Sequence, residues 1–405
     1  MRFLSGRDTR ESGTWIEREL ARGIASQGGS LTSAGVVPTP AVAYLTPRKG
    51  YTAGVVISAS HNPFDDNGIK VFSGAGEKFT EALERQVEAE VADPSWSVPA
   101  GDAGDVPVVD DVAEYLDHVR AVLPAGAASM RVVVDCANGA TTIVAPRLFE
   151  ALGVDAHFIG CEPDGRNINL ECGSTAPARL SRAVVDHGCQ LGIAYDGDGD
   201  RAIFVDAHGT VVNGDAVMLM CATQLKTEGR LNGHAIVATV MSNIGLEIAL
   251  RAAGIGLVRC PVGDKYVMKE MLRSNLSLGG EQSGHVIFAD HLFTGDGLAT
   301  SLNVLRTMAA TGRTLADLAS DLTSYPQVLM NLRVQERVDL ATVPAVAAVL
   351  ASVERRLAGQ GRLLVRYSGT EPLLRVMLEG KDEAEIRRWG QEIIDAVTAS
   401  VGAAV

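Results

Sequence analysis

Short apolar segments alternate with amphipathic segments through the middle of this chain, and this alternation limits its fold more than any other feature. From Met130 onward, Arg131-Val132-Val133-Val134 predicts a buried strand, a helix continues to about Leu152, and residues 154–159 predict the next strand. A helix near 178–186 and a strand at 191–195 continue the pattern. Strands that alternate with helices favour a three-layer α/β unit with a largely parallel sheet.

A further α/β unit follows, and after about Tyr325 the pattern changes to that of a small α+β domain. At 405 residues the chain is too long for one hydrophobic core, and the usual domain size suggests about three domains. The pattern along the chain predicts one domain more than this size estimate: three consecutive mixed or parallel α/β three-layer domains and a C-terminal α+β domain. The predicted boundaries are 1–110, 111–210, 211–325 and 326–405.

Composition excludes several classes of protein. An apolar content of 46% and a mean hydropathy of +0.13 exclude a disordered chain. A net charge of −13 argues against nucleic acid as a partner. No apolar run reaches the roughly 18 residues of a membrane helix, and the N-terminus lacks the apolar region of a secretory signal. Six cysteines without CxxC spacing favour reduced thiols, so we expect a cytoplasmic protein with no membrane partner.

A polar loop after the apolar run 54–57 carries the first set of reactive side chains. The segment Ser58-Ala59-Ser60-His61-Asn62-Pro63 predicts a strand that ends in a loop, and Lys70 follows shortly after. The hydroxyl of Ser60, the imidazole of His61 and the ammonium of Lys70 suit phosphoryl transfer, with one oxygen to carry the group and cations to stabilise its charge. An ordinary Ser/Asn/Pro turn is the alternative.

The segment Asp196-Gly197-Asp198-Gly199-Asp200-Arg201 predicts a site for a hard cation. Glycines between the carboxylates let the backbone curl so that the oxygens converge, as Mg²⁺ requires. A calcium EF-hand loop fails, because it needs Gly and Glu where this chain has Arg201 and Ala207. An unliganded acidic turn would leave three carboxylates repelling one another. Arg201 is placed to contact a phosphate bound at the same cation.

Three other polar segments suit sugar or phosphate binding. Arg7 and Arg10 lie in a turn before a predicted helix, where anions bind well, although surface arginines are the alternative. The segment 279–285 offers Glu281, Ser283 and His285 for reading sugar hydroxyls, which is a weak signal by itself. The segment 366–372 and the nearby Arg375 form a phosphate cradle or a plain hairpin turn.

The motifs SASHNPFDDNGIK, DGDGDR, GGEQSGH and RYSGTEP occur in that order, and with them the sequence resembles the α-D-phosphohexomutases along nearly its whole length. The resemblance implies a heart-shaped, four-domain enzyme with its active site in a central cleft. It implies that Ser60 carries a covalent phosphate, with His61 and Arg201 beside it, and that Lys70 and His285 are the acid and base. Mg²⁺ would be held by Ser60, Asp196, Asp198 and Asp200. Substrate would be bound by Arg7, Glu281, Ser283, Arg366, Ser368, Gly369, Thr370 and Arg375.

The implied reaction passes phosphate from Ser60 to one sugar hydroxyl, which gives a sugar bisphosphate, and then takes the other phosphate back. Within the family the closest resemblance is to the members that interconvert glucosamine 6-phosphate and glucosamine 1-phosphate for UDP-N-acetylglucosamine and cell-wall synthesis. Phosphoglucomutase or phosphomannomutase specificity and a non-catalytic sugar-phosphate binder are the alternatives. The phosphorylated amino sugar is the expected partner, and the resemblance leaves a homodimer open.

One departure from the family pattern lies at the start of the sequence. Family members normally begin with an extra strand and a loop of the type GTDGxRG, whose arginine lines the active site. This sequence begins almost directly at Gly6-Arg7-Asp8-Thr9-Arg10. We therefore expect the first domain to lack that strand and that loop.

Overall fold

The computed structural model describes residues 1–95, 97–98, 105–123, 130–334, 336–357, 359–368 and 373–401. The chain forms two compact units. The first comprises Met1–Met241 and Ala253–Asp321, and the second comprises Ser242–Ala252 and Leu322–Val405. No described helix is long and apolar enough to cross a membrane. The six cysteines are free thiols, as predicted, and all but Cys161 are buried.

The first sheet of the first unit holds the Ser60 loop. Its strands are β1 (Arg2–Arg7), β2 (Ser30–Val36), β3 (Ala53–Ile57) and β4 (Ile69–Ser73), in the order β2-β1-β3-β4. The helices of this segment are α1 (Ser12–Ser26), α2 (Thr39–Arg48) and α3 (Glu81–Ala92). β1 to β3 are parallel, whereas β4 runs antiparallel to β3 and pairs Lys70 with Val56. The sequence did not predict β4, because its five residues are too few for a clear alternation.

The second sheet contains the acidic motif. Its strands are β5 (Arg131–Asp135), β6 (Asp155–Ile159), β7 (Leu191–Tyr195), β8 (Ala202–Asp206) and β9 (Val211–Val212), in the order β6-β5-β7-β8-β9. The helices are α4 (Val112–Arg120), α5 (Thr141–Leu152) and α6 (Ala178–Asp186). β5, β6 and β7 are parallel as predicted. β8 is antiparallel to β7, because the connection between them is too short for a crossover.

The third sheet has the order β11-β10-β12-β13. Its strands are β10 (Ala235–Thr239), β11 (Gly256–Cys260), β12 (Leu278–Gly280) and β13 (Val286–Phe288). The helices along this segment are α7 (Gly214–Thr227), α8 (Ile244–Ala252), α9 (Asp264–Ser274), α10 (Gly297–Thr311) and α11 (Leu315–Ala319). β12 and β13 are antiparallel. Helix α9 was not predicted, since its first residues read as a turn.

The second unit is an antiparallel sheet with helices, as predicted for the C-terminal α+β domain. Its strands are β14 (Gln327–Arg333), β15 (Arg362–Tyr367) and β16 (Leu373–Glu379), in the order β14-β16-β15. The helices are α8, α12 (Pro344–Leu357) and α13 (Glu383–Val401). Val346 and Val353 on α12, and Ile386 and Ile393 on α13, lie two helical turns apart and are buried in one core.

Three of the four sequence motifs lie in connections between antiparallel strands. The Ser60 loop joins β3 to β4, the acidic motif joins β7 to β8, and the GGEQSGH motif joins β12 to β13. A short connection between two paired strands is held at both ends by the sheet. The folded sheets therefore present these three motifs from a rigid support.

A buried carboxylate ties the segments of the second unit together. Glu379, at the end of β16, is completely buried and accepts hydrogen bonds from Arg362 Nε at 2.9 Å, the Ile244 amide at 3.1 Å and Asn243 Nδ2 at 3.3 Å. It joins β16 to β15 and to the start of α8.

We predict that Glu379→Ala lowers the free energy of unfolding of the second unit by about 3 kcal/mol, because it leaves the guanidinium of Arg362 and a buried amide without their acceptor. Hydrogen–deuterium exchange of the β16 amides measures the effect. Glu383→Ala, which removes an exposed partner of Arg387, is the control and should leave that exchange almost unchanged. Equal protection of β16 in both variants would contradict the assignment.

Candidate active site

The Ser60 loop is held in a backbone conformation that aims the serine hydroxyl at the acidic hairpin. Ser60 has φ of 51°, a left-handed value that costs a non-glycine residue of order 1 kcal/mol. Its amide donates to Ser58 Oγ at 3.0 Å, and its carbonyl accepts from Asn169 Nδ2 at 2.9 Å. The Ser60 hydroxyl donates to Asp196 Oδ2 at 2.6 Å. These hydrogen bonds offset the backbone strain and hold the Ser60 hydroxyl against the Asp196 carboxylate.

Arg10 holds the same loop in place through hydrogen bonds to its carbonyl oxygens. Its side chain is only 1% exposed and forms an ion pair with the buried Asp8. Nη2 donates to the carbonyl oxygens of Ser60 at 3.3 Å and Asn62 at 2.6 Å, and Nε donates to the Pro63 carbonyl at 3.4 Å. Anion binding was the expected role of the arginines in this turn. The structure instead uses Arg10 to hold loop carbonyls, since its guanidinium is enclosed by protein.

Arg7 lies in a different environment. Its Nε is 3.4 Å from Glu17 Oε2, and the other oxygen of Glu17 accepts hydrogen bonds from Ser5 and Ser33 at 2.6 Å each. The Arg7 side chain remains about one-quarter exposed. Its predicted contact with substrate stays a prediction.

The three aspartates of the acidic hairpin converge as the sequence predicted. Asp196, Asp198 and Asp200 are each at most 4% exposed, and one oxygen from each lies within 4.8 Å of the others. Gly197 allows the hairpin to approach the Ser60 loop, because a Cβ there would lie 2.5 Å from the Ser60 carbonyl oxygen. The three aspartates therefore cluster where the acidic hairpin contacts the Ser60 loop.

Lys70 compensates part of the charge of this cluster. Its Nζ lies 2.5 Å from Asp198 Oδ2 and 3.3 Å from Asp200 Oδ2. Burial lowers the pKa of Lys70, but the attraction of Asp198 and Asp200 outweighs it and raises the pKa above the ordinary value. Burial likewise opposes ionisation of Asp198, yet Lys70 holds the pKa of that carboxyl below its ordinary value. Burial and the charges of Asp200 and Asp198 raise the pKa of Asp196 well above its ordinary value.

The hairpin has the donors that a divalent cation needs. Asp198 Oδ1 and Asp200 Oδ1 are buried and have no hydrogen-bond partner among the described residues. Buried carboxylate oxygens without a partner are costly, and a cation bound by all three aspartates would remove that cost. Oxygen donors alone suit a hard divalent ion. The aspartate cluster therefore fits a metal ion.

Two predicted catalytic residues lie at the edge of the cluster. Arg201 Nε is 3.9 Å from Asp196 Oδ2 and 3.8 Å from Asp200 Oδ1. His61 Nδ1 is 3.5 Å from Ser60 Oγ. Burial and the charge of Arg201 lower the pKa of His61 below its ordinary value. Both side chains can contact a group carried by Ser60.

His285 comes to the same cluster from the GGEQSGH hairpin. The ring is 2% exposed, and Nε2 lies 3.9 Å from Asp200 Oδ2 and 3.7 Å from Asp264 Oδ2. Glu281 Oε1 accepts the Gly263 amide at 3.1 Å, and Ser283 is exposed. The predicted roles of Glu281 and Ser283 in reading a sugar stay predictions.

The predicted phosphate anchor lies in the second unit. Arg366 and Arg375 are direct cross-strand partners on β15 and β16. The guanidinium groups of both residues have the geometry to bind a phosphate. Arg337 Nη2 donates to the Ser368 carbonyl at 2.6 Å and adds a third arginine there. Two further predicted anchor residues, Gly369 and Thr370, lie outside the described residues.

Sequence reasoning missed four residues of these sites: Arg10 in its structural role, Asn169, Asp264 and Arg337. Asn169 lies in the connection between β6 and α6, and its φ of 59° has no sequence signal other than the residue type. Asp264 is the first residue of α9 and belongs to none of the four motifs. These residues act through contacts between distant segments, which a motif does not encode.

Comparison with known proteins identifies the class. Four family models match in chain order: phosphoglucomutase/phosphomannomutase alpha/beta/alpha domain I (residues 2–97), domain II (113–209), domain III (213–325) and the C-terminal domain (329–396). Four such domains with these loops define a phosphohexomutase, an enzyme of the isomerase class. The chain belongs to the phosphoglucomutase/phosphomannomutase family.

Relatives and solved structures agree with that assignment. The phosphoglucosamine mutase of Solibacter usitatus is 49% identical over 99% of this chain and 90% of its own length, and that of Moorella thermoacetica is 48% identical over 95% and 88%. A family protein from Burkholderia thailandensis has the same fold, with a TM-score of 0.81 and 24% identity over 98% of this chain and 89% of its own. N-acetylphosphoglucosamine mutase of Aspergillus fumigatus, solved with GlcNAc-6P and magnesium, gives a TM-score of 0.64 at 18% identity, covering 96% and 99%.

We predict that Gly197→Ala reduces turnover about a hundredfold, because the added Cβ pushes the acidic hairpin away from the Ser60 carbonyl and misaligns the two loops. Steady-state kinetics measures the turnover, and thermal unfolding checks that the variant is folded. Gly23→Ala on α1, where a Cβ meets only Val98 at 4.0 Å, is the control and should retain full activity. Wild-type kinetics in Gly197→Ala would show that activity does not depend on this close approach of the two loops.

Proposed function

We propose that this chain is a phosphoglucosamine mutase, which interconverts glucosamine 6-phosphate and glucosamine 1-phosphate through a phosphoserine enzyme and a sugar bisphosphate. The observation that carries the chemistry is the 2.6 Å contact of the Ser60 hydroxyl with Asp196 in a buried aspartate cluster. The amino-sugar specificity is supported by the relatives named phosphoglucosamine mutase, at up to 49% identity over nearly the whole chain.

The group transfer uses two half-reactions of the same kind. In the first, the P–Oγ bond of phosphorylated Ser60 breaks as a bond forms from phosphorus to a sugar hydroxyl oxygen. The proton of that hydroxyl passes to a base, Ser60 Oγ takes up a proton from an acid as its bond to phosphorus breaks, and the product is the sugar bisphosphate. In the second, the sugar has turned over, and Ser60 Oγ gives up its proton and takes the phosphoryl group from the other end while the freed sugar oxygen regains a proton.

Lys70 and His285 are the proposed proton carriers. Lys70 Nζ lies between Asp198 and Asp200, so its ammonium is positioned beside the oxygens of the transferring group. His285 Nε2 lies 3.9 Å from Asp200 on another side of the cluster. Two titratable side chains from different segments, β4 and the GGEQSGH hairpin, suit a reaction that needs an acid at one oxygen and a base at the other. Arg201 and His61 are proposed to contact the phosphoryl oxygens.

Mg²⁺ is the proposed cation of the aspartate cluster. Asp196, Asp198 and Asp200, with an oxygen of the Ser60 phosphate, would hold it, and bound there it would neutralise charge on the transferring group. Arg366, Ser368, Gly369, Thr370 and Arg375 are the proposed anchor for the phosphate that is not being transferred, and Glu281, Ser283 and Arg7 complete the proposed substrate contacts.

We expect Ser60→Ala to lose turnover by several orders of magnitude, because the substitution removes the oxygen that carries the phosphate. Peptide mass spectrometry of the active wild type should find phosphate on Ser60. Ser26→Ala, which alters an exposed hydroxyl on α1, should keep full activity. A fully active wild type without phosphate on Ser60 would remove this serine from the mechanism.

Asp198→Asn removes one negative charge from the cluster while keeping its shape. We expect a higher Mg²⁺ concentration for half-maximal activity and a much lower kcat, with a smaller change in KM. Magnesium titrations of activity measure these values. Asp290→Asn, at an exposed ion pair with Arg230, is the control for a general effect of charge. An unchanged Mg²⁺ requirement in Asp198→Asn would exclude Asp198 as a ligand.

A further inference from the structure

Asp264 is a carboxylate in the active-site cluster to which neither the sequence motifs nor the proposed chemistry gives a role. It is the first residue of α9 and follows Gly263, whose φ is 127°. The Gly263 amide donates to Glu281 of the GGEQSGH hairpin, so the start of α9 is held against that hairpin. Asp264 Oδ2 lies 3.7 Å from His285 Nε2.

Asp264 lies beside the acidic hairpin, and its side chain is more exposed than that of Asp200. His285 Nε2 lies between Asp200 Oδ2 at 3.9 Å and Asp264 Oδ2 at 3.7 Å. The Asp200 side chain is only 5% exposed, whereas that of Asp264 is 29% exposed. Asp264 also lines a cavity of about 460 Å³ together with Lys70 and Lys78. A molecule in this cavity can therefore reach Asp264 without displacing the core.

The Asp264 carboxylate already pairs with a cation. Lys78 forms an ion pair with Oδ2, and the Lys265 amide donates to Oδ1 at 2.7 Å. Burial raises the pKa of Asp264, but the charges of Lys78, His285 and Lys70 outweigh it and hold the pKa below the ordinary value. A carboxylate has about four lone-pair positions, so these two contacts leave room for a further donor.

An amino sugar brings a donor that fits this position. In the half-reaction in which O1 faces Ser60, the substituent at C2 lies one carbon away from the carbon that bears the reacting oxygen. Asp264 Oδ2, which lies 3.7 Å from His285 Nε2 beside the acidic hairpin, is then a candidate partner for that substituent. A protonated amine makes a charge-assisted hydrogen bond to a carboxylate, roughly twice as strong as the bond that a neutral hydroxyl makes.

We propose that Asp264 is a specificity-determining residue that binds the C2 ammonium of the hexosamine phosphate, with Lys78 as its counter-ion when the sugar is absent. The inference rests on the proposed function, since it assigns one substrate contact within the same site. The carboxylate selects the amino sugar over the corresponding glucose phosphate, because only the amine supplies a positive charge at C2.

The test compares glucosamine 6-phosphate with glucose 6-phosphate as substrates for the wild type and Asp264→Asn, with Mg²⁺ and the matching sugar bisphosphate. Asparagine keeps the shape of the side chain but removes its charge. We expect kcat/KM for the amino sugar to fall about tenfold or more and kcat/KM for the glucose phosphate to stay within about threefold. Glu270→Gln, the same type of change further along α9, should leave the ratio of the two values unchanged.

Equal loss with both substrates would overturn the inference, because it would mean that Asp264 acts through His285 or the start of α9. If Asp264→Asn does not fold, Lys78→Gln provides the test. Removing the cation that competes for Asp264 should raise the preference for the amino sugar. An unchanged or lower preference overturns the inference. The wild-type measurement tests the proposed function separately. A wild type that turns over glucose phosphate but not glucosamine phosphate rejects both, whereas an active wild type with an unaltered preference in Asp264→Asn rejects only the role of Asp264.

Discussion

The contact between the Ser60 loop and the acidic hairpin is the interaction on which the candidate active site depends. Three aspartates are buried together, and they would repel one another without compensation. Compensation comes from the first sheet, where Lys70 reaches Asp198 and Asp200 and Ser60 donates to Asp196. The same contacts that compensate the charge of the cluster bring the Ser60 hydroxyl, the Lys70 ammonium and the three carboxylates into one place. Folding of the first unit and assembly of its chemistry are therefore coupled.

The topology explains how distant segments can meet with this accuracy. Each α/β sheet is parallel through its centre and has an antiparallel strand next to the connection that carries its motif. Both ends of such a connection are fixed by paired strands, so the loop has little freedom of its own. Arg10, which is buried, and Asn169, which is partly buried, then fix the Ser60 loop by binding its carbonyl oxygens. Preorganisation of this kind lets an enzyme place charge without reorganising at the moment of reaction.

Much of the fold could be predicted from local pattern alone. The strand at Leu191–Tyr195 and the helix at Ala178–Asp186 have the predicted bounds, because an apolar run and helical periodicity are local signals. β4, β8 and α9 were missed. Their short or mixed patterns become strand or helix through pairing and packing with segments far away in the chain.

The sequence by itself determined which reactive groups the chain carries and in what order: a serine in a polar loop, three aspartates spaced by glycines, a histidine hairpin and an arginine pair. Their types and spacing indicate the kind of chemistry, because hydroxyls, carboxylates and guanidinium groups have properties that do not depend on the fold. Only the tertiary structure decided which of them meet. It buried Arg10 under the Ser60 loop and brought Asp264 to His285 and Lys78, since contacts between residues far apart in the chain follow from sheet pairing and packing.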